Sequence, residues 1–104
     1  MISKKLRVPS SIFLKKPAHR FFSDYLQARI SPNNFGYNRL GAAIGIKVDK
    51  RSVKRHLLKR TILDAAAAQK NISSDIIIVA KPEIAGLTKE EVKKEVSEIF
   101  KKIK

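Results

Sequence analysis

Asp75-Ile-Ile-Ile-Val-Ala80 is a continuous, mostly β-branched run bounded by Ser73-Ser74 on one side and Pro82 on the other. A strand with one wet face alternates apolar and polar residues, whereas a strand covered on both faces does not. The run therefore predicts a central strand of a sheet. Its presence in a chain with helical text on either side predicts an α/β protein.

Downstream, Thr88-Lys-Glu-Glu91 has the form of a capping box, in which the threonine hydroxyl accepts the backbone N–H of Glu91 and the Glu91 carboxylate reaches back. A C-terminal helix over 88–103 follows, with Val92, Val96, Ile99, Phe100 and Ile103 repeating along one side. Upstream, 50–69 lacks Pro and Gly and ends in an alanine run, so it predicts the longest helix. Turned at 3.6 residues per turn, it gathers Leu57, Leu58, Thr61, Ile62 and Ala65 on a core face, and Arg55, His56, Lys59 and Arg60 on a basic one. Leu63, Val53 and Lys54 break the separation and are left for packing to decide. Asp49 is expected near the helix start and Asp64 on its polar side.

Further upstream, 20–31 reads as one strand. Phe22, Asp24, Leu26, Ala28 and Ile30 share one parity, and Phe21, Ser23, Tyr25, Gln27 and Arg29 the other. Pro32-Asn-Asn-Phe-Gly36 has the residues of a turn, and a second strand, running from Arg39 to Val48, is expected to pair with the first as a hairpin. Gly41 and Gly45 suggest close backbone approach or a bulge. Residues 1–19 are interrupted by Pro9 and Pro17 and read as a basic arm with at most one short helix around Ile12-Phe13-Leu14. The whole, 1–104, is read as a single domain that begins as mature protein.

Charge supplies the functional clue. The chain of 104 residues has 23 Lys and Arg against 9 Asp and Glu, a net charge of +14. Residues 1–60 hold 15 of the cations and only Asp24 and Asp49, while the remainder is close to neutral. Cations gathered in this way suit a polyanion, because each neutralised phosphate releases condensed counterions. The stretch from Lys50 to Leu63 contains no acid, whereas a merely soluble helix mixes signs. The lack of Trp argues against an anionic membrane surface, and no apolar run approaches the ~20 residues that span a bilayer. With no cysteine, disulfides, thiolate metal sites and cysteine nucleophiles are excluded, and a cytoplasmic location is expected.

Arg39-Leu-Gly41, the strand to Lys47, Ser52-Val-Lys-Arg-His-Leu-Leu-Lys-Arg60, Asp75-Ile-Ile-Ile-Val-Ala-Lys-Pro82 and Leu87-Thr-Lys-Glu-Glu91 together resemble the protein subunit of bacterial ribonuclease P over 39–104. That family has an Arg-(Ile/Leu)-Gly strand, a helix bearing Arg-Asn-Arg-x-Lys-Arg, an Asp-initiated apolar strand and a last helix, in this order. Here Arg55, Lys59 and Arg60 keep the helix motif, while His56 stands for its Asn and Leu57 for its second Arg. The family's paired lysines before the helix become Ile46-Lys47. Its N-terminal helix with two phenylalanines a turn apart has no clear counterpart, Ile12-Phe13 and Phe21-Phe22 being the candidates.

The resemblance implies a two-layer α+β fold, a four-stranded sheet packed with helices like the second domain of ribosomal protein S5, with a left-handed βαβ crossover against the usual hand. It implies that the RNA subunit cleaves the 5′ leader of precursor tRNA with magnesium held by the RNA. The protein would bind that RNA and the single-stranded leader as a monomer in a 1:1 ribonucleoprotein, with no cofactor of its own.

Candidate RNA-binding residues are Lys47, Arg51, Arg55, His56, Lys59 and Arg60. For the leader, a cationic track with aromatic faces is needed, and Tyr25 and Arg29 with Phe13 or Phe21 are the candidates. No catalytic residue is expected. His19 and His56, the only histidines, would have to meet to act as an acid–base pair, and the carboxylates are scattered singly. The alternative to the subunit reading is a ribosomal-type structural RNA binder.

Overall fold

The structure is a computed structural model and describes residues 7–8 and 18–103. The expectations for Phe13 and for the rest of the arm lie outside the described residues. The elements are β1 (His19–Phe22), β2 (Leu26–Pro32), β3 (Arg39–Ala43), α1 (Ser52–Ala67), β4 (Ser74–Ala80), a 3-10 helix (Pro82–Gly86) and α2 (Lys89–Lys102). The four strands form one sheet in the order β1-β2-β4-β3. β4 is antiparallel to β2 and parallel to β3. Parallel neighbours cannot be joined by a tight turn, and α1 is the crossover between them.

The apolar run at 75–80 is central, as its lack of alternation requires. Ile76, Ile78 and Ala80 point at the helices and join Leu26, Ala28, Ile30, Leu40 and Ala42 in the core, against Ile62, Leu63 and Ala66 of α1 and Val92, Val96, Ile99 and Phe100 of α2. Ile77, on the opposite face, is buried as well. The α2 capping box forms: Glu91 N–H donates to Thr88 Oγ1 (3.2 Å), and Thr88 N–H donates to the Glu91 carboxylate (2.9 Å).

Four expectations are corrected. The stretch 20–31 is two strands and not one, because Ser23 turns the chain: its N–H donates to Leu26 O (2.8 Å) and its hydroxyl accepts from Leu26 N–H (3.0 Å). Side-chain alternation restarts after the turn. The hairpin partner of β2 is therefore β1, paired from His19↔Ile30 to Phe22↔Gln27, while β3 lies across the sheet beyond β4. β3 is also shorter than 39–48, ending at Ala43 before a turn closed by Val48 N–H on Gly45 O (3.0 Å). The last correction concerns the facing of α1, whose buried residues are Ile62, Leu63 and Ala66. Leu57 is 48% exposed, and Val53 and Lys54 also face solvent. The helix is turned so that Leu63 takes the core position.

Candidate nucleic-acid interface

Because paired residues share a face, the register assembles the side of the sheet away from the helix-packed core in three rungs. One is Ser31–Asp75–Arg39, the next Arg20–Arg29–Ile77–Gly41, the third Phe22–Gln27–Val79–Ala43. Along the middle of this face run Ile77 and Gly41, both buried, and Val79 and Ala43, both partly buried. Arg20 and Arg29 stand directly opposite each other on it, an arrangement of like charges that costs stability in an antiparallel pair. Arg29 Nε is enclosed and has no hydrogen-bond partner. Phe22 is 54% exposed, with Lys81 Nζ 5.9 Å from its ring centroid.

The first rung is locked. Arg39 donates from Nε (2.8 Å) and Nη2 (2.7 Å) to the two Asp75 carboxylate oxygens, with side chains only 17% and 6% exposed. The hydrogen bond to Asp75 raises the Arg39 pKa above its ordinary value. Asn33 Nδ2 adds a bond of 2.9 Å to Asp75. The arginine that opens β3 and the aspartate near the start of β4 are thus one unit, which ties the crossover strands at this end.

Of the leader candidates, Arg29 lies on this face, partly exposed. Phe21, opposite Ala28, packs against the core on the other side, and Tyr25 in the turn packs there too. The turn at Ser23 exchanges the roles of Phe21 and Phe22. Sequence parity carried through the turn missed Phe22 and Arg20, although Ser23-Asp24 is the kind of polar pair that marks a turn.

The basic-helix candidates divide by what they touch. Asp49 accepts from the Arg51 guanidinium (3.1 and 3.0 Å) and from the Arg51 N–H (2.9 Å), which hold the Asp49 pKa down at about 2. Arg51 thus has a carboxylate partner, although its side chain is 69% exposed. Arg55 is half-buried and folds back, its Nη1 donating to Asp49 O (3.3 Å). Lys59 is half-buried beside Arg7 at the outer edge of β3, where Val8 N–H donates to Leu40 O (2.9 Å). Lys47, His56 and Arg60 are exposed. His19 is on β1 and His56 on α1, which packs against β3 at the far edge of the sheet, so the two do not meet. Among the described residues, no three His, Asp or Glu side chains group to hold a metal, and no helix is long and apolar enough to cross a membrane.

The Ribonuclease P family model matches residues 10–104. Among solved structures, the ribonuclease P protein of Staphylococcus aureus superposes with a TM-score of 0.83 at 18% identity, covering 95% of each chain. A mutant of the S. aureus protein, described as defective in mRNA degradation activity, gives 0.83 at 19%, covering 94% of this chain and 87% of that one. The ribonuclease P protein from Thermotoga maritima gives 0.80 at 16%, covering 94% and 97%. These likenesses show the fold. Curated protein sequences give no match.

Proposed function

The chain belongs to the Ribonuclease P family, and from that premise we propose that it is the non-catalytic protein subunit of the ribonucleoprotein, binding both the catalytic RNA and the 5′ leader of precursor tRNA. The observation that carries the leader half is the Arg20–Arg29 pair on the sheet face away from the helices, one rung from the exposed Phe22. Two cations held side by side at a cost to the fold are stabilised by a phosphate between them. Phe22 accepts a base of any identity, as a single strand of variable sequence requires.

The catalytic RNA is assigned to the outer side of α1, through His56 and Arg60 with Lys47 at its approach. Structured RNA is bound largely by such backbone and shape contacts. Leu57, exposed where the family has a cation, makes this a weaker electrostatic surface than the family motif. Magnesium is assigned to the RNA, and the protein contributes position: a leader held on the sheet while the RNA is held on α1 fixes the scissile bond relative to the RNA.

The test is cleavage of precursor tRNA by a bacterial ribonuclease P RNA at low magnesium, with and without the protein. Stimulation that declines as the leader is shortened to a single nucleotide, which still leaves a bond to cleave, is the expected result. Equal binding of leader-bearing and mature tRNA by the complex overturns the leader reading. Cleavage by the protein without RNA overturns the non-catalytic one.

A further inference from the structure

We propose that Phe35, in the β2–β3 connection, is a nucleobase-stacking platform that carries the single-strand track past the end of the sheet. The proposal rests on the leader reading above and adds a site to it.

The connection is fixed in place. Asn33 Oδ1 accepts from Phe35 N–H (3.0 Å), while its Nδ2 donates to Tyr37 O (3.3 Å) and to Asp75 (2.9 Å). Asn71 Nδ2 donates to Gly36 O (2.8 Å) and Asn38 Nδ2 to Lys70 O (2.9 Å). Gly36 supplies the left-handed turn, at φ 79°, which side chains with a Cβ rarely adopt. A loop tied at this many points presents its side chain with little ordering left to do on binding.

What it presents is an aromatic ring. Phe35 is 51% exposed. The Arg39 guanidinium lies over the ring, 4.4 Å from its centroid, and is itself gripped by Asp75, so one face is backed by a fixed cation. Tyr37 stands beside it, with ring centroids 5.8 Å apart and planes tilted by 38°. A phenylalanine whose task was to shield the Arg39–Asp75 pair would be buried over it. This one leaves half its surface in water.

Position supplies the occupant. Arg39 and Asp75 form the first rung of the face away from the helices, and the Arg39 guanidinium over its ring places Phe35 at that end, while Phe22 lies in the third rung. The two exposed phenylalanines therefore belong to rungs on either side of the Arg20–Arg29 pair, rungs that meet β4 four residues apart, about 13 Å along the strand. Aromatic faces spaced along a cationic groove are the elements of single-strand binding. We assign to Phe35 an unpaired base of the leader.

The test uses the complex with a bacterial ribonuclease P RNA and precursor tRNAs that carry one 2-aminopurine at successive leader positions, together with a series of shortened leaders. Phe35→Ala and Phe35→Leu are expected to weaken long-leader binding by roughly 5- to 100-fold. Both are expected to remove the quenching of 2-aminopurine at one distal position and to have no such effect once the leader is too short to reach it. Phe35→Trp is expected to retain both. Wild-type affinity and quenching in Phe35→Leu overturn the platform, since leucine covers Arg39 but offers no π face. Equal weakening for short and long leaders also overturns it, as does binding of a protein partner at this loop that leaves leader affinity untouched. If the parent protein binds leader-bearing and mature tRNA equally, the leader reading itself has failed; if it discriminates and Phe35 variants match it, only the platform has.

Discussion

Arg39 and Asp75 are 36 residues apart in sequence, and their pairing explains why an arginine should open β3 and an aspartate the apolar run of β4. A carboxylate this deeply enclosed is tolerable because both oxygens accept from a guanidinium fork, a geometry lysine cannot reproduce. Arg39→Ala leaves Asp75 buried without its cation and is expected to cost about 3–5 kcal/mol. Arg39→Lys should cost less, and Arg39→Ala with Asp75→Ala less than the sum of the singles. Urea denaturation of the parent, the three single variants and the double variant measures this, and additive losses would show that the pair is not coupled. The sequence placed these two residues at their strand starts but gave no sign that they touch, since contact across a parallel pair depends on strand order. It misplaced Phe21 and Phe22 for a local reason: alternation counts residues correctly only while the strand is unbroken, and the Ser23 turn breaks it.

Elements were legible in proportion to how local their causes are. The α2 start is written in four consecutive residues, and the capping box forms as read. The α1 span is likewise local, but its rotation is not. Leu57, Leu58, Ile62 and Leu63 allow more than one apolar face, and only the docking of α1 onto β3 selects the one containing Leu63. Strand order was the least legible feature, because β4 enters between β2 and β3 after both have been written. The α2 cap carries a pH signature. The Thr88 backbone N–H, with the Thr88 side chain, holds the Glu91 pKa below its ordinary 4.5. A carboxylate depressed in the folded state contributes stability that is full above its unfolded pKa and is lost as pH falls through the folded one. Melting temperature should therefore fall below about pH 4.5, and Glu91→Gln, which keeps an acceptor but does not titrate, should remove part of that fall and leave the rest to other acids such as Asp49. Identical pH profiles for the two proteins would rule out the cap as a contributor. Thr88→Ala should cost about 1 kcal/mol at neutral pH.

At the scale of the whole molecule, two sets of cations among the described residues of the first 60 positions lie on separate surfaces. Arg20 and Arg29 lie on the side of the sheet away from the helices; His56 and Arg60 lie on the outer side of α1, which is stacked on the other side. A helix about 10 Å across separates them, in a molecule measuring 36 × 25 × 25 Å. Sites this far apart with no shared partner act independently. Arg60→Ala should weaken binding to ribonuclease P RNA and flatten its log–log salt dependence by a little under one unit, the share of one lost phosphate contact. Arg51→Ala should flatten it less, because Asp49 already neutralises that guanidinium. Phe22→Ala should leave the salt slope for the RNA subunit alone and reduce the preference for leader-bearing over mature tRNA by about 5-fold or more, the worth of one stacked base. In the double variant with Arg60→Ala, the two losses should add within about 0.5 kcal/mol. Titrations of RNA subunit, precursor tRNA and mature tRNA against the three proteins at several salt concentrations decide the matter. A loss well beyond additivity would mean that one RNA element spans both surfaces, and a change in leader preference from Arg60→Ala alone would move the leader from the sheet to the helix.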